Sequence, residues 1–256
     1  MNPAKRKEIF TRFRAANPAP RTELEYKTPF ELLIAVLLSA QATDVSVNKA
    51  TRQLYKIANT PQAMLDLGVD ELMGYIQTIG LFRTKAKHVI ASCQMLVEQH
   101  GGEVPTSREA LEALPGVGRK TANVVLGVAF GAPEGVVVDT HVQRLSQRLG
   151  WTRHTEPPEI ERDLCALFPR GDWDLLSHTL IFHGRRVCFA RKPACAACGV
   201  SDRCPSAFHA DSVGRKAPRA RSTAAPGPTT NAAARKATTT VAKAAGRVAP
   251  AARSKR

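Results

Sequence analysis

The sequence predicts an all-α fold, and three observations carry that prediction. Helix-start signals recur along the chain, apolar positions between them keep helical spacing, and only Val136-Val137-Val138 looks extended. That run is too short to imply a sheet. In chain order, Thr28-Pro29-Phe30-Glu31 forms a capping box with proline at the first helical position, leading into the apolar run Leu32 to Leu38. Thr60-Pro61 opens another helix, which Gly68 closes. Ala86, Val89, Ile90, Cys93, Leu96 and Val97 hold helical spacing between Thr84 and His100, and Gly101-Gly102 ends that helix. Thr106-Ser107-Arg108-Glu109 repeats the capping box ahead of Leu111 and Leu114. Residues 121–130 are apolar nearly all round, as expected of a helix buried at the centre of a domain. Further helices fit 139–149, 157–168 and 172–187.

Charge divides the chain in two. The 256 residues carry 37 Lys+Arg against 22 Asp+Glu, a net +15. Eleven of those cations and a single aspartate lie in residues 211–256, so the body is only moderately basic and the tail is a polycation. Polyanionic partners, nucleic acid first, follow from such a tail; a merely solubilising role is the plain alternative. Ala, Thr, Pro, Lys and Arg alternate there without aromatic residues or periodic leucines, so residues 211–256 are expected to be disordered. Met1 to Phe10 is charged and lacks an apolar core, and Leu32 to Leu38 is too short to span a bilayer. A soluble, intracellular protein with no membrane partner is the expectation, and six unpaired cysteines fit it.

The stretch that organises the rest is Leu114-Pro115-Gly116-Val117-Gly118-Arg119-Lys120-Thr121-Ala122. Two glycines let the backbone turn sharply and bring its N–H groups close to whatever lies outside. The first turn of the following helix adds orphan donors and the positive end of the dipole, which suit a phosphate. Lys120 sits in or beside that turn. A helical corner with a solvated lysine is the plain alternative. Ile79-Gly80-Leu81-Phe82-Arg83-Thr84-Lys85-Ala86 echoes this arrangement, a glycine turn and basic residue before a helix, with Leu81 and Phe82 expected on the exposed turn.

Cys188, Cys195, Cys198 and Cys204 fall within seventeen residues, with six, two and five residues between them. Four thiolates so close form one metal or cluster site. Only Cys195 and Cys198 have zinc-knuckle spacing, and four sulfurs on one irregular loop also suit a 4Fe–4S cluster, so both readings stand on spacing alone. Disulfides fit an intracellular chain poorly. Arg191 and Lys192, between the first two ligands, would be held at fixed positions suited to phosphate contact. Cys93 and Cys165 lie on apolar helix faces as core residues.

The hairpin at 114–122, Val138-Asp139-Thr140-His141-Val142 and the 6-2-5 cysteine spacing together resemble the endonuclease III family of bifunctional DNA glycosylase/lyases, in the helix–hairpin–helix superfamily. Leu38-Ser39-Ala40-Gln41-Ala42-Thr43-Asp44 is similar to the family as well, and the resemblance covers about residues 1–210. It implies two helical lobes with the active site between them. Residues 22–133 would form a six-helix domain, and residues 1–21 with 134–210 a helical domain carrying a 4Fe–4S cluster. The resemblance raises that cluster above zinc. It implies Lys120 as the nucleophile and Asp139 as the catalytic carboxylate. An amine can attack the sugar C1′ and displace the base, and the resulting imine accepts electrons as the 3′-phosphate leaves by β-elimination. Asp139 also reads as the N-cap of the helix that follows it.

By the same resemblance Gln41 and Leu81 insert into the base stack where a nucleotide is withdrawn. Gly116, Gly118 and Arg119 face phosphate, as Arg191 and Lys192 do. Asp44 is a pocket candidate, with an N-cap as its alternative. The implied partner is double-stranded DNA containing damaged bases, oxidised pyrimidines above all, or abasic sites. A monomer in the cytoplasm, at the nucleoid, completes the expectation. Two other readings are an adenine-mismatch glycosylase and a non-catalytic helix–hairpin–helix module. The first generally lacks lysine at the position of Lys120 and carries a folded C-terminal domain, which residues 211–256 cannot be. The second is opposed by the joint presence of Lys120 and Asp139.

Overall fold

The structure, a computed structural model, describes residues 1–213. The described residues contain ten α-helices and short 3₁₀ turns, with no strand. None of the helices is long and apolar enough to cross a membrane. The tail lies outside the described residues from position 214. At its edge the structure corrects the expected onset of disorder: Ala210–Ser212 is a 3₁₀ turn, and Arg148 Nε donates to the Val213 carbonyl at 3.0 Å.

Helix α1 (Pro3–Ala16) is followed by α2 (Pro29–Ser39), whose residues from Phe30 to Leu38 are all buried. Thr28 Oγ1 accepts from the Glu31 N–H at 3.1 Å, as a capping box requires, while the Glu31 carboxylate reaches the N–H of Lys27 and not that of Thr28. Each fully buried leucine of α2 contributes about 1.5–3 kcal/mol. Helices α3 (Asp44–Leu54), α5 (Phe82–His100) and α7 (Arg119–Phe130) pack against α2, with α4 (Pro61–Ile76) behind α3 and α5 and α6 (Arg108–Glu112) against α7. Their buried residues make one core running from Leu24 to Leu126.

Several elements depart from expectation. The helix engulfed on every side is α2; α7 buries Ala122, Val125 and Leu126, while its Val124 is only half-buried. Gly68 (φ 78°, ψ 166°) breaks the helix opened at Thr60, as its left-handed backbone demands, but the chain re-enters helix and continues to Ile76. At α6 the N-cap is Ser107 and not Thr106, since Ser107 Oγ accepts from Ala110 N. Phe82 is half-buried against the first core, leaving Leu81 alone exposed.

Helices α8 (Thr140–Arg148), α9 (Pro157–Leu167) and α10 (Trp173–Arg186) pack with α1 around a second core. Ile9, Phe10 and Phe13 of α1 meet Leu145, Ile160, Leu164, Leu176 and Leu180 there. Phe168 stands edge-on to both Phe10 and Trp151, at 5.3 and 5.0 Å between ring centroids. Val136-Val137-Val138 forms no strand. It is the irregular link between the cores, fixed where Val137 N donates to Ser177 Oγ at 2.9 Å. Helix α7 also approaches α10 closely: a Cβ on Gly127 would lie 2.6 Å from Asp174 Oδ1.

Candidate active site and cysteine loop

The glycine hairpin is built as its sequence requires. Val117 N donates to Leu114 O at 3.0 Å, and Gly116 takes φ 79°, where an L side chain is strained. A Cβ there would also lie 2.6 Å from His88 Nδ1, so glycine is needed twice over. Gly118 is the N-cap of α7 and brings no side-chain acceptor, which leaves the first-turn N–H groups facing outward. Lys120 is the second residue of that helix and is exposed.

Lys120 and Asp139 line the same cavity of about 160 Å³. Ser39, Asp44, Thr121 and Val124 wall it from the first-core side, and Val137, His178, Phe182 and Arg185 from the second. Asp139 is an N-cap and also lines the cavity. Its Oδ1 accepts from His141 N at 2.8 Å and Val142 N at 2.9 Å, capping α8, while the residue stays half-buried at the cavity wall.

Asp44 lines the cavity and is not an N-cap. Thr43 caps α3 through its Oγ1, and Asp44 is the first helical residue. Its Oδ2 pairs with Arg185 Nη1 at 3.1 Å, and the same nitrogen meets Glu23 Oε2 at 2.6 Å. Arg186 adds a 3.2 Å contact to Glu23 Oε1. Glu23, Arg185 and Arg186 thus form an ionic strap from α10 to the segment before α2. Sequence reasoning missed all three; the only signal was a basic pair at a helix end just before Cys188.

Arg119 is turned away from the cavity. Its Nε and Nη2 donate to the two carboxylate oxygens of Glu161, at 2.6 and 3.2 Å, and this pairing raises the arginine pKa further. Asn123 Nδ2 donates to Glu161 Oε1 at 3.2 Å. The carboxylate also fills the space over Gly135, where a Cβ would lie 1.9 Å from Glu161 Oε1. Glu161, on α9, therefore touches both the helix that carries Lys120 and the link that leads to Asp139. Nothing in its sequence surroundings marked it.

Gln41 and Leu81 occupy neighbouring turns. Both are exposed and both take left-handed backbone, φ 56° and 60°. Gly80 faces the Gln41 carbonyl: a Cβ on it would stand 3.8 Å away. Arg191 and Lys192 are exposed, Lys192 at φ 50° with its N–H on Asp211 Oδ1 at 3.0 Å.

Cys188, Cys195, Cys198 and Cys204 are free thiols around one apolar cavity of about 30 Å³, shared with Arg148 and His183. Arg148 Nη1 reaches Cys188 Sγ at 3.2 Å, and His183 Nε2 lies 3.4 Å from Cys198 Sγ. Burial first, and then the neighbouring sulfurs, push the Cys198 and Cys204 thiols upward; a bound cationic centre offsets both. Among the described residues no three of His, Cys, Asp or Glu draw together tightly as ligands of a single metal ion. Four sulfurs spread around a common cavity fit a multi-iron cluster. Cys93 is core, its thiol pushed up to about 12 by burial.

Comparison with known proteins decides the family. A profile of the HhH-GPD superfamily of base excision DNA repair proteins matches residues 34–170, and one of the iron–sulfur binding domain of endonuclease III matches residues 188–204. Endonuclease III of Escherichia coli (strain K12) is 56% identical over 204 residues, 80% of this chain and 96% of that one. The Haemophilus influenzae enzyme is 55% identical with the same coverage. The chain belongs to the endonuclease III family. It is a DNA-binding base-excision repair enzyme, a DNA N-glycosylase and abasic-site lyase, and it carries a 4Fe–4S cluster. Among solved structures, a trapped endonuclease III–DNA covalent intermediate aligns with TM-score 0.76 and 41% identity, covering 81% of this chain and 97% of that one. A thermostable thymine-DNA glycosylase aligns at TM-score 0.69 and 25% identity, over 79% of this chain and 96% of its own.

Proposed function

We propose that this enzyme removes oxidised or ring-saturated pyrimidines from duplex DNA and then cleaves 3′ to the abasic site through an imine on Lys120. The observation that carries the reading is that Lys120 and Asp139, on elements of different cores, wall one cavity. The uncharged Lys120 amine attacks C1′, the glycosidic bond breaks, and the base leaves with its bonding electrons. Loss of the ring oxygen bond gives the imine, which acts as electron sink while a proton leaves C2′ and the 3′-phosphate departs. Asp139 stabilises the positive character that develops on the sugar and helps take the proton from the attacking amine. The related structure of a trapped endonuclease III–DNA covalent intermediate supports this reading.

Gln41 and Leu81 fill the gap left by the withdrawn nucleotide, an amide against base edges and a leucine between bases. The N–H groups at Gly116, Gly118 and the start of α7 hold phosphate without regard to sequence. Arg119 contributes there through its backbone, since its guanidinium is taken by Glu161. Arg191 and Lys192 are further phosphate contacts. Cys188, Cys195, Cys198 and Cys204 ligate the cluster, which ties the loop that carries those cations. The two cores support a division into a 22–133 domain and a second domain of 1–21 with 134–210. The protein acts as a monomer in the cytoplasm, at the nucleoid.

Borohydride reduction tests the chemistry. The wild-type protein is expected to give a covalent adduct with a duplex containing an oxidised pyrimidine, and Lys120→Ala none. An adduct that survives in Lys120→Ala sinks the assignment. A panel of lesions in the same assay establishes substrate preference.

A further inference from the structure

Lys85 is a buried lysine that the chemistry above does not use. It is 5% exposed, and among the described residues it makes no ion pair. It lies in the first turn of α5, at the positive end of that helix, where a cation is disfavoured. Burial pushes its pKa down. Methionine would fill the same space without these costs. What lysine gains is one specific contact: Nζ donates to the Leu38 carbonyl at 2.9 Å, at the end of α2 where helix carbonyls lack partners. Its backbone N–H meanwhile donates to the Leu81 carbonyl at 3.0 Å.

Both ends of Lys85 therefore grip a turn. Leu38 leads directly into the turn that lifts Gln41 to φ 56°, and Leu81 is the residue at φ 60° that starts α5. These two are non-glycine residues in left-handed backbone, both exposed, on turns that meet at Gly80 and the Gln41 carbonyl. A sparsely populated backbone conformation persists where its surroundings hold it.

We propose that Lys85 is a positioning residue that ties the Gln41 and Leu81 turns into one rigid, two-pronged wedge, so that both prongs enter the base stack together. The inference rests on the reading of Gln41 and Leu81 as the stack-filling pair.

The test separates opening the duplex from chemistry. Single-turnover rates are measured for wild type and Lys85→Met on two substrates: a duplex with one ring-saturated pyrimidine, and an abasic nucleotide inside an unpaired bubble. The bubble needs no wedge. A misplaced wedge is expected to slow the duplex reaction by about tenfold or more while the bubble reaction stays within about twofold. The melting temperature is expected to hold, because an apolar side chain replaces a buried cation. A merely structural lysine gives a parallel loss on both substrates; that result, or an unchanged duplex rate, overturns the proposal. Gln41→Ala and Leu81→Ala are run alongside. If they keep the duplex rate, the stack-filling reading fails; if they lose it and Lys85→Met does not, the tie alone fails. Should Lys85→Met not fold, Lys85→Gln replaces it with a neutral side chain of polar character. As a readout without chemistry, 2-aminopurine opposite the lesion is expected to brighten on binding Lys120→Ala, and to brighten less with Lys85→Met added. Equal brightening overturns the tie.

Discussion

Two turns in this molecule share a sequence plan and use it in opposite ways. At Leu114–Lys120 and at Ile79–Lys85, a glycine-bearing turn precedes a helix whose first residues include lysine. In the hairpin the left-handed position belongs to Gly116, the N-cap is Gly118, and the lysine is exposed at the cavity. In the second turn the left-handed position falls on Leu81, which is itself the N-cap, and the lysine is buried. The hairpin offers bare backbone and an amine; the other turn offers an apolar side chain and hides its amine. Glycine is spent where the backbone must be approached closely. It is withheld where a side chain must be presented, and the strain of Leu81 is accepted instead.

Substitutions can sharpen or break this contrast, and the largest effect belongs to the exposed lysine. Lys120→Ala should lower lyase turnover by several orders of magnitude, on the order of 10⁴-fold or more, in a strand-cleavage assay. Asp139→Asn comes next. Base excision should fall by about 10²–10⁴-fold, while the melting temperature holds, because asparagine caps a helix as well as aspartate does. A large fall in melting temperature would show that capping dominates over chemistry at this position.

Gly116→Ala should destabilise the fold by about 1–3 kcal/mol in denaturant titration, through its positive φ and the approach to His88. Leu81→Gly should do the reverse and leave stability unchanged or raised by up to about 1 kcal/mol, since glycine relieves the left-handed strain. Excision from duplex should fall nonetheless. If the two substitutions shift stability in the same direction, the division of labour between the turns is wrong.

The smallest effect concerns pH. Burial lowers the Lys85 pKa in the folded protein below that of the unfolded chain, about 10.4 for a free side chain. The unfolded state then holds more protons, so stability contributed at this site rises with pH between the folded and unfolded pKa values. The Lys85→Met difference in melting temperature should shift in favour of wild type as pH rises toward that limit. A difference independent of pH contradicts a desolvated ammonium.

What the sequence showed and what it concealed follow a physical boundary. Local chemistry was legible: the caps at Thr28 and Thr60, the hairpin glycines, the cysteine loop and the α7 start all depend on neighbours within a few residues. The cap at Asp139 was legible too, since it needs only the two N–H groups that follow in sequence. Of the two readings of Asp44 only the N-cap failed, because Thr43 takes that cap; its ionic partner, Arg185, lies 141 positions away. Glu161 carries no local signal; its oxygens matter only once α9 stands against α7 and Gly135. The choice between α2 and α7 as the enclosed helix was likewise invisible, since both read as apolar runs. Only packing distinguishes a helix wrapped by neighbours from one whose Val124 walls a cavity.

The contact of Glu161 with Arg119 and Gly135 has a consequence for how such an enzyme can diversify. One carboxylate holds together the start of α7 and the link between the cores, beside the cavity that Lys120 and Asp139 line. Other residues of the cavity wall are held elsewhere: Ser39 Oγ donates to the Val36 carbonyl, and Arg185 pairs with Glu23 and Asp44. Appetite for different damage can therefore drift by exchanging wallpaper, with the foundations under lysine and aspartate left undisturbed.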